Sequence, residues 1–123
     1  MIDITFGYLL IKMANHKKEE FTQGDQHISQ MAKAMSHPAR ITIMRILTAH
    51  PKYTCGEIVE VLPLAQATVS HHLKELQEAG LISVSFEGKK SLYEINWKNW
   101  DSYTASLAQF LDFVNNSPGI SSL

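Results

Sequence analysis

The sequence predicts a mainly α fold with a small β-hairpin, an α+β architecture, and three observations lead there. Thr54-Cys55-Gly56-Glu57 has the form of a capping box, which opens a helix. Val69, Leu73 and Leu76 recur at helical spacing between Pro63 and Gly80. Beyond Gly80 the apolar period changes to alternation, with Ile82, Val84 and Phe86 set around Ser83 and Ser85.

Taken from the start, residues 1–24 form an N-terminal extension. Its apolar run, Phe6, Tyr8, Leu9, Leu10, Ile11 and Met13, is too short and too early to span a bilayer. It also lacks the basic start and small-residue cleavage site of a secretory signal. Two readings stay open: an extra helix that contributes to a dimer, or a chain that naturally opens at Met13. The charged run from His16 to Glu20 reads as a solvated linker. Asp25 is expected to cap the next helix, which carries Ile28, Met31, Ala32 and Met35.

The helix opened by the capping box places Cys55, Ile58, Val59 and Leu62 at i, i+3, i+4 and i+7. Pro63 stops it, because the proline ring cannot continue the backbone ladder. After a tight Leu62-Pro63-Leu64 turn, a second helix begins near Gln66 and runs to Gly80. Val69, Leu73 and Leu76 face inward, while Gln66, Ala67, Ser70, His71 and Lys74 fall on the opposite face, with Thr68 in the first turn beside them. That outward face is short-chained and hydrogen-bonding, suited to a major groove roughly 12 Å wide. The blander alternative is a solvated amphipathic helix of any small α-rich domain. It explains neither the capped helix before it nor the hairpin after it.

Gly80 ends this helix where a left-handed residue costs least. Leu92, Tyr93 and Ile95 then answer the first strand across Glu87-Gly88-Lys89-Lys90, a hairpin with a polar, basic tip. A hairpin directly after a helix-turn-helix is a wing, and Lys89 and Lys90 sit where a wing meets the sugar-phosphate backbone. Residues 25–96 are therefore expected to form a winged helix-turn-helix that binds DNA. In the following helix, 97–115, Trp100, Thr104, Leu107, Leu111 and Val114 repeat at spacings of three and four, with Tyr103, Phe110 and Phe113 as a second stripe. So wide an apolar face is expected to pack on its own domain and on a partner subunit, making the fold dimeric through its terminal helices. Trp97, Trp100, Leu107, Phe110, Leu111 and Val114 are the candidate dimerisation residues. The alternative is a helix buried within one monomer. Residues 116–123 form a tail.

Composition bounds the function. At 123 residues with a single cysteine, the chain is one domain without a disulfide framework, and the cytoplasm is the expected compartment. The net charge of −1 argues mildly against a polyanionic partner, and between Gln66 and Asn96 the acids outnumber the bases. Binding then depends on where the charges lie. No nucleophile-base motif, phosphate loop or metal-ligand spacing is present, so neither an enzyme nor a cofactor is expected. Cys55 fits a buried core thiol; the alternative is a redox sensor, since a thiol in the first turn of a helix can have a lowered pKa. His71 and His72 point about 100° apart and cannot chelate one ion alone, which assigns His71 to DNA and His72 to packing or a dimer-side contact. A winged-helix module that binds protein rather than DNA is the competing function.

Three runs make the chain resemble the ArsR/SmtB family of winged-helix repressors: Ser36-His37-Pro38-Ala39-Arg40 leading into Ile41-Met44-Ile46-Leu47, then Thr68-Val69-Ser70-His71-His72-Leu73, then Leu76-Gln77-Glu78-Ala79-Gly80-Leu81-Ile82. The match spans roughly Ile28 to Asn96. It implies a homodimer on a palindromic operator in double-stranded DNA near its own promoter, repressing until an inducer lowers its affinity. The Cys-x-Cys pair of the family's metal-sensing branches falls here on Thr54 and Gly56, and no His follows His72 to build the zinc site of another branch. No metal site is therefore expected from either. The inducer stays open: an organic ligand, an oxidant at Cys55, an unusual metal set drawing on His16 or His27, or none. Where the family usually places a capping Ser, this chain has Ala65, which forfeits about 1 kcal/mol of helix stabilisation. The weight of base contact shifts accordingly from Gln66 to Ser70 and His71.

Overall fold

The computed structural model describes residues 21–117 and 119, so the Phe6–Met13 run, the His16–Glu20 run and the end of the tail lie outside the described residues. Helix α1 (Gln23–Ala34) is capped by Thr22, whose Oγ1 accepts from Asp25 N at 3.1 Å. The expected cap, Asp25, instead lies in the first turn, where its carboxylate faces the positive end of the helix dipole. The chain turns helical before reaching it. Helix α2 (Pro38–Ala49) starts with proline at its first position, where the missing N–H costs nothing, and His37 Nδ1 accepts from Ala39 N at 3.1 Å.

Strand β1 (Tyr53–Thr54) follows and then helix α3 (Cys55–Val61). The capping box forms in both directions: Thr54 Oγ1 accepts from Glu57 N at 3.1 Å, and Glu57 Oε1 accepts from Thr54 N at 2.9 Å. Ile58 and Leu62 are buried, Cys55 and Val59 half-buried, and the helix ends at Leu62 ahead of Pro63. Helix α4 (Gln66–Glu78), strands β2 (Ile82–Glu87) and β3 (Lys90–Ile95), and helix α5 (Trp97–Asn115) complete the described chain.

The sheet has three antiparallel strands in the order β1-β3-β2, one more than the hairpin the sequence predicts. Tyr53 pairs with Tyr93 and Thr54 with Leu92. A two-residue strand is too short to carry a period, and its partner is distant in sequence. In the hairpin Ile82 pairs with Ile95 and Glu87 with Lys90. Gly88 is left-handed (φ +62°) while Lys89 is not, the pattern of a type II′ turn with glycine first. The burial expected of the alternating positions fails at the outer end: Ile82 is buried, but Phe86 is 73% exposed because the hairpin outruns the core before reaching its tip.

The core gathers Ile43 and Leu47 of α2, Ile58 of α3, and Val69, Leu73 and Leu76 of α4 under Leu81 and Ile82. Helix α5 packs along α1 and buries Tyr103, with Trp100 and Leu107 partly against the core. Trp97, Phe110, Leu111, Phe113 and Val114 stay exposed, so α5 is not buried within one monomer. Among the described residues, no helix is long and apolar enough to cross a membrane.

Candidate nucleic-acid interface

Helix α4 divides its residues sharply. Val69, His72, Leu73 and Leu76 are buried, and Gln66, Ala67, Thr68, Ser70, His71 and Lys74 are all exposed. At about 100° per residue the buried four span one arc and Ala67, Lys74 and His71 lie opposite its centre, with Ser70 beside them and Thr68 near the boundary. Ala65 occupies the N-cap and supplies no side-chain hydrogen bond. The helix nevertheless starts at Gln66, with Val69 N bonded to Ala65 O at 3.0 Å, because buried Val69 and half-buried Leu64 anchor the first turn. The His71 side chain is 61% exposed, and its Nε2 is 3.9 Å from Glu75 Oε1, a loose approach that leaves the ring available.

His72 is the residue that sequence spacing left unresolved between packing and a dimer contact. It is 5% exposed and serves packing. Arg40 Nε donates to His72 Nδ1 at 3.0 Å, Arg40 Nη1 donates to Ala34 O at 3.4 Å, and the His37 ring sits 4.5 Å from the His72 ring. The middle of α4 is thus tied to α2 and to the end of α1. An Nδ1 that accepts carries no proton, so His72 is the neutral Nε2–H tautomer. Burial, and then the neighbouring His37, Arg40 and His71, hold its pKa below the ordinary histidine value. No local motif links positions 40 and 72, which is why the pairing escapes sequence reading.

The wing presents Lys89 and Lys90 exposed at the tip, and β2 packs beside α4. Cys55 is a free, half-buried thiol packed against the core. Burial pushes its pKa up, opposite to the direction that the redox reading requires. Among the described residues no group of three or more His, Cys, Asp or Glu is arranged to hold a metal ion. What the surface offers is a projecting polar helix face and a basic hairpin tip on one scaffold.

Residues 35–85 match a family model described as a helix-turn-helix domain. The chain is similar to YceK, an HTH-type transcriptional regulator of Bacillus subtilis, at 30% identity over 71% of this chain and 88% of that protein. It is similar to the arsenical resistance operon repressor of Staphylococcus xylosus at 29% identity, over 75% of this chain and 84% of that one. In fold it matches an ArsR-like transcriptional regulator from Rhodococcus sp. RHA1, with a TM-score of 0.67 at 17% identity, covering 76% of this chain and 88% of that one. Fold, helix face and relatives together define a winged helix-turn-helix transcriptional regulator of the DNA-binding repressor class, not an enzyme. The chain belongs to the ArsR/SmtB family.

Proposed function

We propose that the protein is a homodimeric repressor, acting on double-stranded DNA in the cytoplasm, that reads a palindromic operator and is released by an inducer. Gln66, Ala67, Thr68, Ser70 and His71 meet base edges in the major groove, and Lys74, Lys89 and Lys90 hold the phosphates. The apolar face of α5, with the exposed Trp97, Phe110, Leu111 and Val114 and the half-buried Trp100 and Leu107, forms the dimer contact. The observation that carries the reading is the division of α4: each candidate contact residue is exposed and each core position is buried. Such a helix is fastened by one side and free to enter a groove by the other.

The test is a salt titration of binding to its own promoter fragment and to an unrelated duplex. The three lysines from each protomer of a dimer give a slope of log K against log salt of about −5. Binding with neither sequence preference nor salt dependence refutes the reading. The double variant Ser70→Ala, His71→Ala is expected to lose the operator footprint, and a footprint equal to that of wild type refutes the assignment of α4.

A further inference from the structure

The C-terminal end of α4 is held by α5. Gly80 is left-handed (φ +80°); its N–H donates to Gln77 O at 2.9 Å and the Leu81 N–H to Leu76 O at 3.0 Å, which closes a Schellman motif. The carbonyls of Ala79 and Gly80, beyond the reach of that motif, are taken by side chains of α5. Tyr103 Oη donates to Ala79 O at 3.0 Å, and Asn99 Nδ2 donates to Gly80 O at 2.9 Å. Asn99 and Tyr103 are four apart, so one face of α5 presents both donors.

The tie continues into α1. Tyr103 Oη also lies 3.2 Å from Gln30 Oε1, yet a phenol has one proton to give. The arrangement closes when the Gln30 amide presents its nitrogen, so that Gln30 Nε2 donates to Tyr103 Oη and Tyr103 donates to Ala79 O; amide orientation follows the hydrogen-bond network. The Tyr103 ring is braced on His27, centroid to centroid 4.7 Å. One buried residue therefore joins α1, α5 and the end of α4.

We propose that Tyr103 and Asn99 are positioning residues for DNA recognition, fixing the angle at which α4 presents Ser70, His71 and Lys74. This rests on the reading of α4 as the DNA-contacting helix. Apolar packing along Val69, Leu73 and Leu76 holds α4 down but has no direction, whereas hydrogen bonds do. Ala65 supplies no side-chain cap at the front of the helix. Among the described residues, the directional side-chain ties to the rest of the domain are thus the Arg40–His72 bond at mid-helix and this clamp at the rear. The helices that carry the clamp, α1 and α5, are packed on each other, and α5 bears the exposed apolar face. In a dimer built on that face, the separation of the two reading helices is set through these two bonds, and half-site spacing follows from that separation.

The experiment uses the full chain, a duplex that the wild type selects from a random-sequence library, and an unrelated duplex of equal length. Tyr103→Phe removes the hydroxyl and keeps the ring on His27; Asn99→Ala removes the second donor. Each variant is expected to keep its helical circular dichroism, its oligomeric state and its affinity for the unrelated duplex. Affinity for the selected duplex falls about fivefold, which is about 1 kcal/mol at 1.4 kcal/mol per decade. Amide exchange at residues 76–81 quickens in both. If both variants hold the wild-type ratio of selected to unrelated affinity within about twofold, or lose the two affinities together as the fold weakens, the positioning role is overturned. A wild type that selects no sequence removes the underlying reading of α4 before any variant is made, so the two failures are distinguishable.

Discussion

Lowering the pH should unfasten the middle of α4 through His72. Its folded-state pKa lies below the ordinary histidine value, chiefly through burial and then through His37, Arg40 and His71. The unfolded chain therefore takes up this proton first as pH falls. Stability is fully present above the unfolded value, about 6.5, and is lost as pH falls through the folded pKa, with a slope that approaches 1.4 kcal/mol per pH unit for one group. The geometry sets the scale. Protonation at Nδ1 abolishes the 3.0 Å bond from Arg40 and places two cations in contact, and a bond to a charged group contributes about 1.5–3 kcal/mol. The loss between pH 6.5 and pH 5 should stay under about 1.6 kcal/mol, the ceiling for one group whose unfolded form is already half protonated at pH 6.5. The control is His72→Asn, whose Oδ1 stands in for Nδ1 as acceptor and does not titrate. Urea unfolding of both proteins at a series of pH values and fixed protein concentration gives the difference curve, which removes the other histidines. The variant is expected to be less stable at pH 7.5, having lost ring packing on His37, but flatter below pH 6.5. Parallel curves would refute the reasoning.

Ala65→Ser is expected to stabilise the fold by about 0.5–1 kcal/mol, since the backbone at 65 already has the extended N-cap conformation (φ −66°, ψ 151°); a lower urea midpoint contradicts this. Gly80→Ala should cost about 1–2 kcal/mol, because alanine is strained at φ +80° and its Cβ would lie 3.0 Å from Asn99 Nδ2; an unchanged melting temperature counts against that. Thr54→Ala removes half of the capping box directly and strands the other half, for a loss of about 1–2 kcal/mol by thermal or urea unfolding. Leu111→Asp, on the exposed face of α5, should yield a monomer by sedimentation and weaken operator binding at least about tenfold; an intact dimer refutes that face as the contact.

Much of the fold is legible from local signals because each one stands within a few residues of its effect. Thr54 and Glu57 are three apart and both halves of their capping box form. Pro63 and Gly80 end helices where their backbone chemistry requires. What escaped depends on distance or on degree. Strand β1 exists because β3 returns beside it, and two residues carry no period. Thr22 displaced Asp25 as cap because helix-start signals lie close together and the helix begins at the earlier one. Phe86 obeys the alternation of its strand yet lies beyond the core, since periodicity assigns a face but not how far the core extends. At the site, the outward face of α4 was readable from spacing alone, while the Arg40–His72 and Tyr103–Ala79 ties join elements far apart in sequence.

Those long-range ties matter more here than in a basic DNA-binding domain. Lys74 shares the exposed side of α4 with Glu78, Glu75 lies within 3.9 Å of His71, and Lys90 pairs in register with Glu87. Each local carboxylate offsets part of the attraction that a neighbouring lysine exerts on phosphate, and the whole chain carries a net charge of −1. A protein whose lysines are offset in this way gains less from merely being near DNA than a strongly basic domain does. Its discrimination must come from hydrogen-bonding side chains held at a fixed angle, since a base-edge contact loses its strength once distance and direction are relaxed. On the proposed reading of α4, its polar ties to α1, α2 and α5 are accordingly where small changes in this chain should alter specificity most.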